Sequence, residues 1–339
     1  MKQKKILILQ LSILIGLFQS CSNEDNQNSP PTITSVYVAG SESNGTNSVA
    51  KIWKDGVPIS LSTSNLDEIA TSVFVYGDDV YAAGQASQNL FISAKAWKNG
   101  IEIPLQNSLN AYANSIFVSN NDVYVSGNEY TGQNIVAAVW KNGIATRLTD
   151  SSINSYTTSI FVKGNDVYIT GQVYNGTKYI ATLWKNGIIN SLTNGNQNAL
   201  ANSVFISDNN VYVTGYEYYG IKDITKVWKN GTVILSLDGT YGTSAYSIFV
   251  DGNDIYLAGR EFTGTHYTAR VWKNGVATSL TDGSQDAIAL SVYVKNGDVY
   301  VAGREKFGAN SMAKLWKNGT EILSTSGNQR AVATSVFVK

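Results

Sequence analysis

Short runs in which apolar and polar side chains alternate recur along the chain, each ending at a cluster of Gly, Asn or Asp. Period-2 runs of this length read as half-buried β-strands, and the clusters between them as turns. One stretch shows the order. Ala287 to Val294 reads Ala-x-Ala-x-Ser-Val-Tyr-Val, turns at Asn296-Gly297-Asp298, and continues as Val-Tyr-Val-Ala-Gly over Val299 to Gly303. These are strands A and B. A turn around Gly308 leads to Ala-Lys-Leu-Trp (Ala313 to Trp316), and after Asn318-Gly319 a short strand ends near Ser324. These are strands C and D. The Asn-Gly pair signals a two-residue hairpin, because a type I′ turn needs positive φ at both central positions.

The four-strand unit repeats. Trp-Lys-Asn/Asp-Gly occurs at Trp53, Trp97, Trp140, Trp184, Trp228, Trp272 and Trp316, the only tryptophans, spaced 43 or 44 residues apart. A period of about 40 to 45 residues with four strands per unit is the signature of a β-propeller. The predicted fold is therefore all-β, a seven-bladed propeller with four antiparallel strands per blade. The connection from D to the next A is the longest and carries the one difference in spacing, so it is taken as the crossing between blades, with A nearest the axis. Alternate positions of A are small (Ala111, Ala113, Ser115; Ala287, Ala289, Ser291), which suits a crowded centre. Each blade supplies one aromatic on A, one on B and one on C, such as Phe249, Tyr256 and Trp272, and these are expected to pack between blades.

The ends complement each other. The first unit lacks A and starts at the B strand Val36 to Gly40, while the last residues, Ala333 to Lys339, form an A strand with no B. Closure is expected by pairing the C-terminal A strand with the N-terminal strands B to D, which removes two sheet edges.

Ahead of the repeats, Lys2, Lys4 and Lys5 precede an apolar run from Ile6 to Phe18 and then Ser20-Cys21. Residues 1–20 read as a signal peptide, the apolar run being too short to span a bilayer. Cys21 is the only cysteine, so no internal disulfide can form. Residues 21–34 read as a lipid-bearing Cys21 followed by a polar, disordered tether, and residues 35–339 as the propeller. Without the three leader lysines the balance is 22 basic to 25 acidic residues, which gives no basic field for nucleic acid.

Phe18-Gln19-Ser20-Cys21 resembles a relaxed bacterial lipobox, and the Asp-Val-Tyr-Val-Ala-Gly and Val-Trp-Lys-Asn-Gly units resemble repeat lipoproteins of Bacteroidota. That resemblance implies an outer-membrane lipoprotein held by lipid on Cys21, with Ser22 to Gln27 similar to the tag that sends such proteins to the cell surface. The Gly-His and Trp-Asp pairs of WD40 blades, the double glycine of kelch blades and the Asp-box of sialidases are all missing, so no activity carries over by residue.

Candidate chemistry lies on the side bearing the B to C hairpins and D to A crossings. Ten aromatics fall on those hairpins, among them Tyr218, Tyr219 and Tyr267, and aromatic faces beside polar side chains suit sugar rings. Tyr130, Tyr174, Tyr218 and Phe262 share one repeat position, so scaffold packing competes with that reading. Glu42, Glu129, Glu217, Glu261 and Glu305 recur two residues after the B-strand glycine. Such a ring offers no asymmetric acid pair and reads as a solvated rim or as salt-bridge partners. Arg260-Glu261 and Arg304-Glu305, near His266, Tyr267, Arg270 and Lys306, make the most asymmetric patch, with local Arg-Glu pairing as the plainer explanation. His266 is the only histidine and reads as an exposed turn residue, and the Asp and Asn of the A to B turns read as turn chemistry rather than a calcium site.

The expected function is a non-catalytic surface module that contacts a glycan or protein through Tyr218, Tyr219, Arg260, Glu261, His266, Tyr267, Arg304 and Glu305. The alternative is a polysaccharide hydrolase or lyase using face carboxylates. No cofactor, metal or nucleic acid is implied.

Overall fold

The structure, a computed structural model, describes residues 34–62, 65–89 and 91–339. The segment read as a signal peptide, Cys21, and all of the expected tether except Thr34 lie outside the described residues. Strands run in chain order. Blade 1 contains β1 (Val36–Ser43), β2 (Ser48–Lys54) and β3 (Val57–Ser60); blade 2 contains β4 (Asp67–Tyr76), β5 (Asp79–Gln88), β6 (Phe91–Lys98) and β7 (Ile101–Ile103). Blade 3 has β8 (Ala111–Ser119), β9 (Asp122–Tyr130), β10 (Ile135–Lys141) and β11 (Ile144–Arg147); blade 4 has β12 (Ser155–Lys163), β13 (Asp166–Tyr174), β14 (Tyr179–Lys185) and β15 (Ile188–Ser191). Blade 5 comprises β16 (Asn198–Ser207), β17 (Asn210–Tyr218), β18 (Asp223–Lys229) and β19 (Thr232–Leu237), and blade 6 comprises β20 (Thr243–Asp251), β21 (Asp254–Phe262), β22 (Tyr267–Lys273) and β23 (Val276–Ser279). Blade 7 is β24 (Ala287–Lys295), β25 (Asp298–Phe307), β26 (Asn310–Lys317) and β27 (Thr320–Ser324), and β28 (Ala331–Val338) returns to blade 1.

Seven four-stranded antiparallel sheets result, and the first has the order β28-β1-β2-β3. The last strand pairs with the first from Val36↔Val338 to Glu42↔Ala331, closing the ring as the complementary ends predict.

The Trp-Lys-Asn-Gly signature is explained by the turn it builds. Its Asn (Asp55 in blade 1) and Gly both adopt positive φ, as Asn99 at 51° and Gly100 at 79°. The Asn side-chain oxygen accepts the backbone N–H at the start of the B strand in all seven blades, at 2.7–2.9 Å. In five blades the Lys pairs with the Asp that opens B, as Lys98 does with Asp79 at 2.8 Å, and also lies over the B-strand Tyr. The turn acids are thus spent on the scaffold.

The tryptophans are 0–3 % exposed, and each sits in a cluster that joins two blades. Trp140 of blade 3 packs with Tyr81 of blade 2, and Trp53 of blade 1 packs with Tyr300 of blade 7. Burial of large side chains at every junction, worth about 25 cal/mol per Å² of apolar surface removed from water, replaces a single central core.

Strand A departs from the simple alternation in the sequence. A β-bulge interrupts each A strand, at Thr71, Asn114, Thr158, Asn202, Tyr246, Leu290 and Thr334. One extra residue flips the phase of the rest of the strand. Ala111 and Ala113 therefore share the blade-to-blade face with Ile116 and Val118, not with Ser115, so small residues do not line the axis as expected. The A-strand aromatics do so instead. Phe74, Phe117, Phe161, Phe205, Phe249, Tyr293 and Phe337 form a closed circuit with consecutive ring centroids 4.4–5.4 Å apart, and a circuit that tight can only surround the axis.

Two hydrogen-bond belts accompany this girdle. The Ser after each bulge accepts an N–H from the next blade at six of the seven junctions, as Ile116 N to Ser72 Oγ at 3.3 Å. The bulged Thr or Asn donates to a carbonyl of the next blade at five junctions, as Asn202 Nδ2 to Ala245 O at 2.6 Å. Tyr246 and Leu290, in blades 6 and 7, interrupt this second belt.

Candidate functional site

The B to C hairpins and D to A crossings share one side of the ring, as the antiparallel order requires. On that side, blades 6, 7 and 1 enclose a cavity of about 420 Å³ lined by Arg260 and Tyr267 of blade 6, Arg304 and Lys306 of blade 7, and Arg330 just before β28. A second cavity of about 210 Å³ adjoins it, since Arg260 and Tyr267 line both; Tyr218, Tyr241 and Phe262 form its aromatic wall. Together they make one groove from the tip of blade 5 to the start of β28, aromatic at one end and basic at the other.

Strand alternation decides which of the sequence-selected residues meet. Neighbours on a strand point to opposite faces, so Arg260 and Glu261 separate, as do Arg304 and Glu305. Glu261 pairs with Arg270 Nε at 2.9 Å and Glu305 with Lys314 Nζ at 3.3 Å, both across to strand C. Glu42 and Glu217 do likewise with Lys51 and Lys226, and Glu129 pairs with Arg147 on strand D. Arg-Glu pairing within the patch is thus made across strands, by Arg270 with Glu261, and the acids of the ring are scaffold. Neither they nor His266 nor Tyr219 lines the groove. Tyr219 donates its hydroxyl to Glu217 Oε2 at 3.0 Å. Tyr218 donates to Gly220 O just as Tyr130 and Tyr174 do to Gly132 and Gly176, which accounts for the shared repeat position, yet its ring still faces the smaller cavity.

Within the groove Arg260 is held by aromatics. Its guanidinium carbon lies 3.8 Å from the Tyr267 ring centroid and 5.9 Å from that of Tyr246, and its Nε is buried with no hydrogen-bond partner. Burial pushes the Tyr246 hydroxyl up and takes that of Tyr216 to about 12, so both remain protonated donors at neutral pH. Burial also lowers the Arg304 pKa, and the like charges of Arg330 and Arg260 lower it further. Among the described residues none of Arg260, Arg304 and Arg330 has a carboxylate within 4.0 Å.

Arg330 escapes sequence reasoning because it belongs to no complete repeat. Its signal is positional. At the start of the A strand the equivalent residue is Asp67, Asn110, Asn154, Asn198, Gly242 or Asp286 elsewhere, and an Arg only here.

No protein-family model matches the chain, and no curated protein does. The fold is similar to that of TolB from Acinetobacter baumannii, with a TM-score of 0.51 at 12 % identity over 89 % of this chain and 66 % of that one. Weaker likenesses are to YjhT (TM-score 0.43, 11 % identity, 79 % and 96 % covered) and to an acylaminoacyl peptidase of Pyrococcus horikoshii (0.46, 12 %, 75 % and 45 % covered). The chain thus spans under half the length of that peptidase and about two thirds of TolB. At such identities the likeness concerns fold alone, and one fold hosts many functions.

Proposed function

We propose that this protein is a non-catalytic binding module that takes a glycan along the groove from Tyr218 to Arg330, and that lipid on Cys21 tethers it to the outer membrane. The carrying observation is the groove itself: two adjoining cavities whose aromatic rings sit beside hydrogen-bonding side chains, the composition that sugar rings stack on. The acids that recur on this face serve the scaffold, whereas Arg260, Arg304 and Arg330, which line the basic end of the groove, break the repeat.

A glycan array followed by Tyr267→Ala and Tyr218→Ala tests the reading. Each substitution is expected to weaken binding about tenfold through lost stacking, a loss of about 1–1.5 kcal/mol. Glycan binding indifferent to both would remove the groove from the account. The tether has its own test. Cys21→Ser should move the protein from the membrane to the soluble fraction, and an unchanged distribution would end the lipid proposal.

The hydrolase alternative has one specific observation in its favour. Glu68 is 3 % exposed and lines a cavity of about 450 Å³ with Glu102, so a buried acid shares space with a second one. Both oxygens of Glu102 accept from Lys95, at 2.8 and 2.9 Å, and the walls come from β3, β4, β6 and β7 and the segments between them. Reducing ends released from a polysaccharide by the wild type but not by Glu68→Gln would favour hydrolysis over binding.

A further inference from the structure

Three successive blades of the ring place an arginine where other blades carry a residue able to accept a hydrogen bond. Asn128, in the repeat position of Arg260 and Arg304, accepts the N–H of Thr157 in the next blade at 2.8 Å, which no guanidinium can do. The position of Arg330 is a brace as well: Asp67, Asn154, Asn198 and Asp286 each accept the first N–H of the preceding C strand, at 2.8–3.0 Å. Arg330 has no acceptor atom, so the junction between blades 7 and 1 forgoes that bond. The bulge belt is interrupted at Tyr246 and Leu290 in the same blades. Lost bonds and a cluster of like charges both cost stability, and within the ring the return is the stacking of Arg260 on Tyr267 and Tyr246.

The charges converge on one space. Arg260, Arg304, Arg330 and Lys306 line the larger cavity against one carboxylate, Asp286, whose Oδ1 is engaged by the N–H of Tyr267 at 3.0 Å. Tyr267 stacks on the Arg260 guanidinium and fixes its plane, and the Nε of Arg260 is buried with no hydrogen-bond partner. Planar guanidiniums with free donors suit a compact oxyanion.

We propose that this cavity binds the oxyanion substituent, carboxylate or sulfate, of an acidic polysaccharide through Arg260, Arg304 and Arg330. The inference rests on the reading of the groove as a glycan site and names the class of glycan it takes. The adjoining aromatic cavity would carry the sugar ring next to the charged unit.

Calorimetry with four probes tests it: a galacturonate trisaccharide, its methyl ester, a sulfated oligosaccharide and poly-glutamate. The acidic trisaccharide or the sulfated probe is expected to bind, the better of the two identifying the oxyanion, and the affinity should fall as NaCl is raised. Arg304→Gln and Arg330→Gln should each lose about 10- to 100-fold, the range for a hydrogen bond to a charged group. Arg304→Lys should recover part of that loss, and Arg147→Gln in blade 3, where Arg147 already pairs with Glu129, should leave binding unchanged. Unchanged melting of the Arg304 and Arg330 variants excludes misfolding. Equal binding of the ester and the acid, with no effect of Arg304→Gln, overturns the oxyanion inference and leaves the glycan groove standing. Binding of poly-glutamate alone, or of no probe while a glycan array is also blank, overturns both.

Discussion

Gly127→Ala is expected to destabilise the protein by about 3 kcal/mol or more, a fall in Tm of about 6–12 °C at roughly 2–4 °C per kcal/mol for a domain of this size. A Cβ there would lie 1.9 Å from the carbonyl oxygen of Tyr112 and 2.7 Å from Cζ3 of Trp140. Neither neighbour is free to give way. The carbonyl belongs to the bulged A strand, and Trp140 is fully buried, with Nε1 donating to Gln106 O at 2.6 Å. The same contact recurs at the B-strand glycines of the other six blades, where the added atom would meet an A-strand carbonyl oxygen at 1.8–2.1 Å. Backbone approach, not unusual φ, is what requires glycine here. Gly187→Ala separates the two causes, because Gly187 has φ of +80° and open space around it. It should cost only about 1–2 kcal/mol, the penalty of a left-handed L-residue. Equal thermal shifts for the two variants would show that the bulge relaxes around the new methyl.

Deleting Ala331 to Lys339 is expected to be worse, because the loss is of closure rather than of one contact. The strand β28 supplies the inner edge of blade 1, the Phe337 ring between Phe74 and Tyr293, and the Thr334 hydroxyl that donates to Ala70 O at 2.7 Å. Its removal bares the backbone of β1 and strips the blade 7 face where Val336 and Val338 pack with Tyr300. Exposed strand edges pair with other chains, so the truncated protein should elute as oligomers or aggregate and lose its cooperative melt. A monomer with unchanged melting would contradict the closed ring.

The blade count and the ring closure were legible because they depend on periodicity and on chain ends, both written along the sequence. So were the Asn-Gly hairpins, since positive φ at two successive residues demands that dipeptide. The bulges do leave a mark in the sequence: a glycine in every B strand, opposite each A strand, means a close backbone approach there. Missing them put Ala111, Ala113 and Ser115 on one face and left the axis lined by small residues, where the structure has seven aromatic rings.

For the groove, adjacency in sequence misled. Arg260-Glu261 and Arg304-Glu305 look like pairs, but a strand sends neighbours to opposite faces, so the arginines meet each other while the acids meet Arg270 and Lys314. By itself the sequence determined seven equivalent units and the residues that depart from equivalence in blades 6 and 7. Only the closed tertiary structure decided that Arg330, next to the C-terminal strand and outside any full repeat, joins them in one cavity. The reason is topological: ring closure makes the last strand the neighbour of blade 7 and the first strand of blade 1 at once, a contact between segments about 290 residues apart that no local pattern encodes.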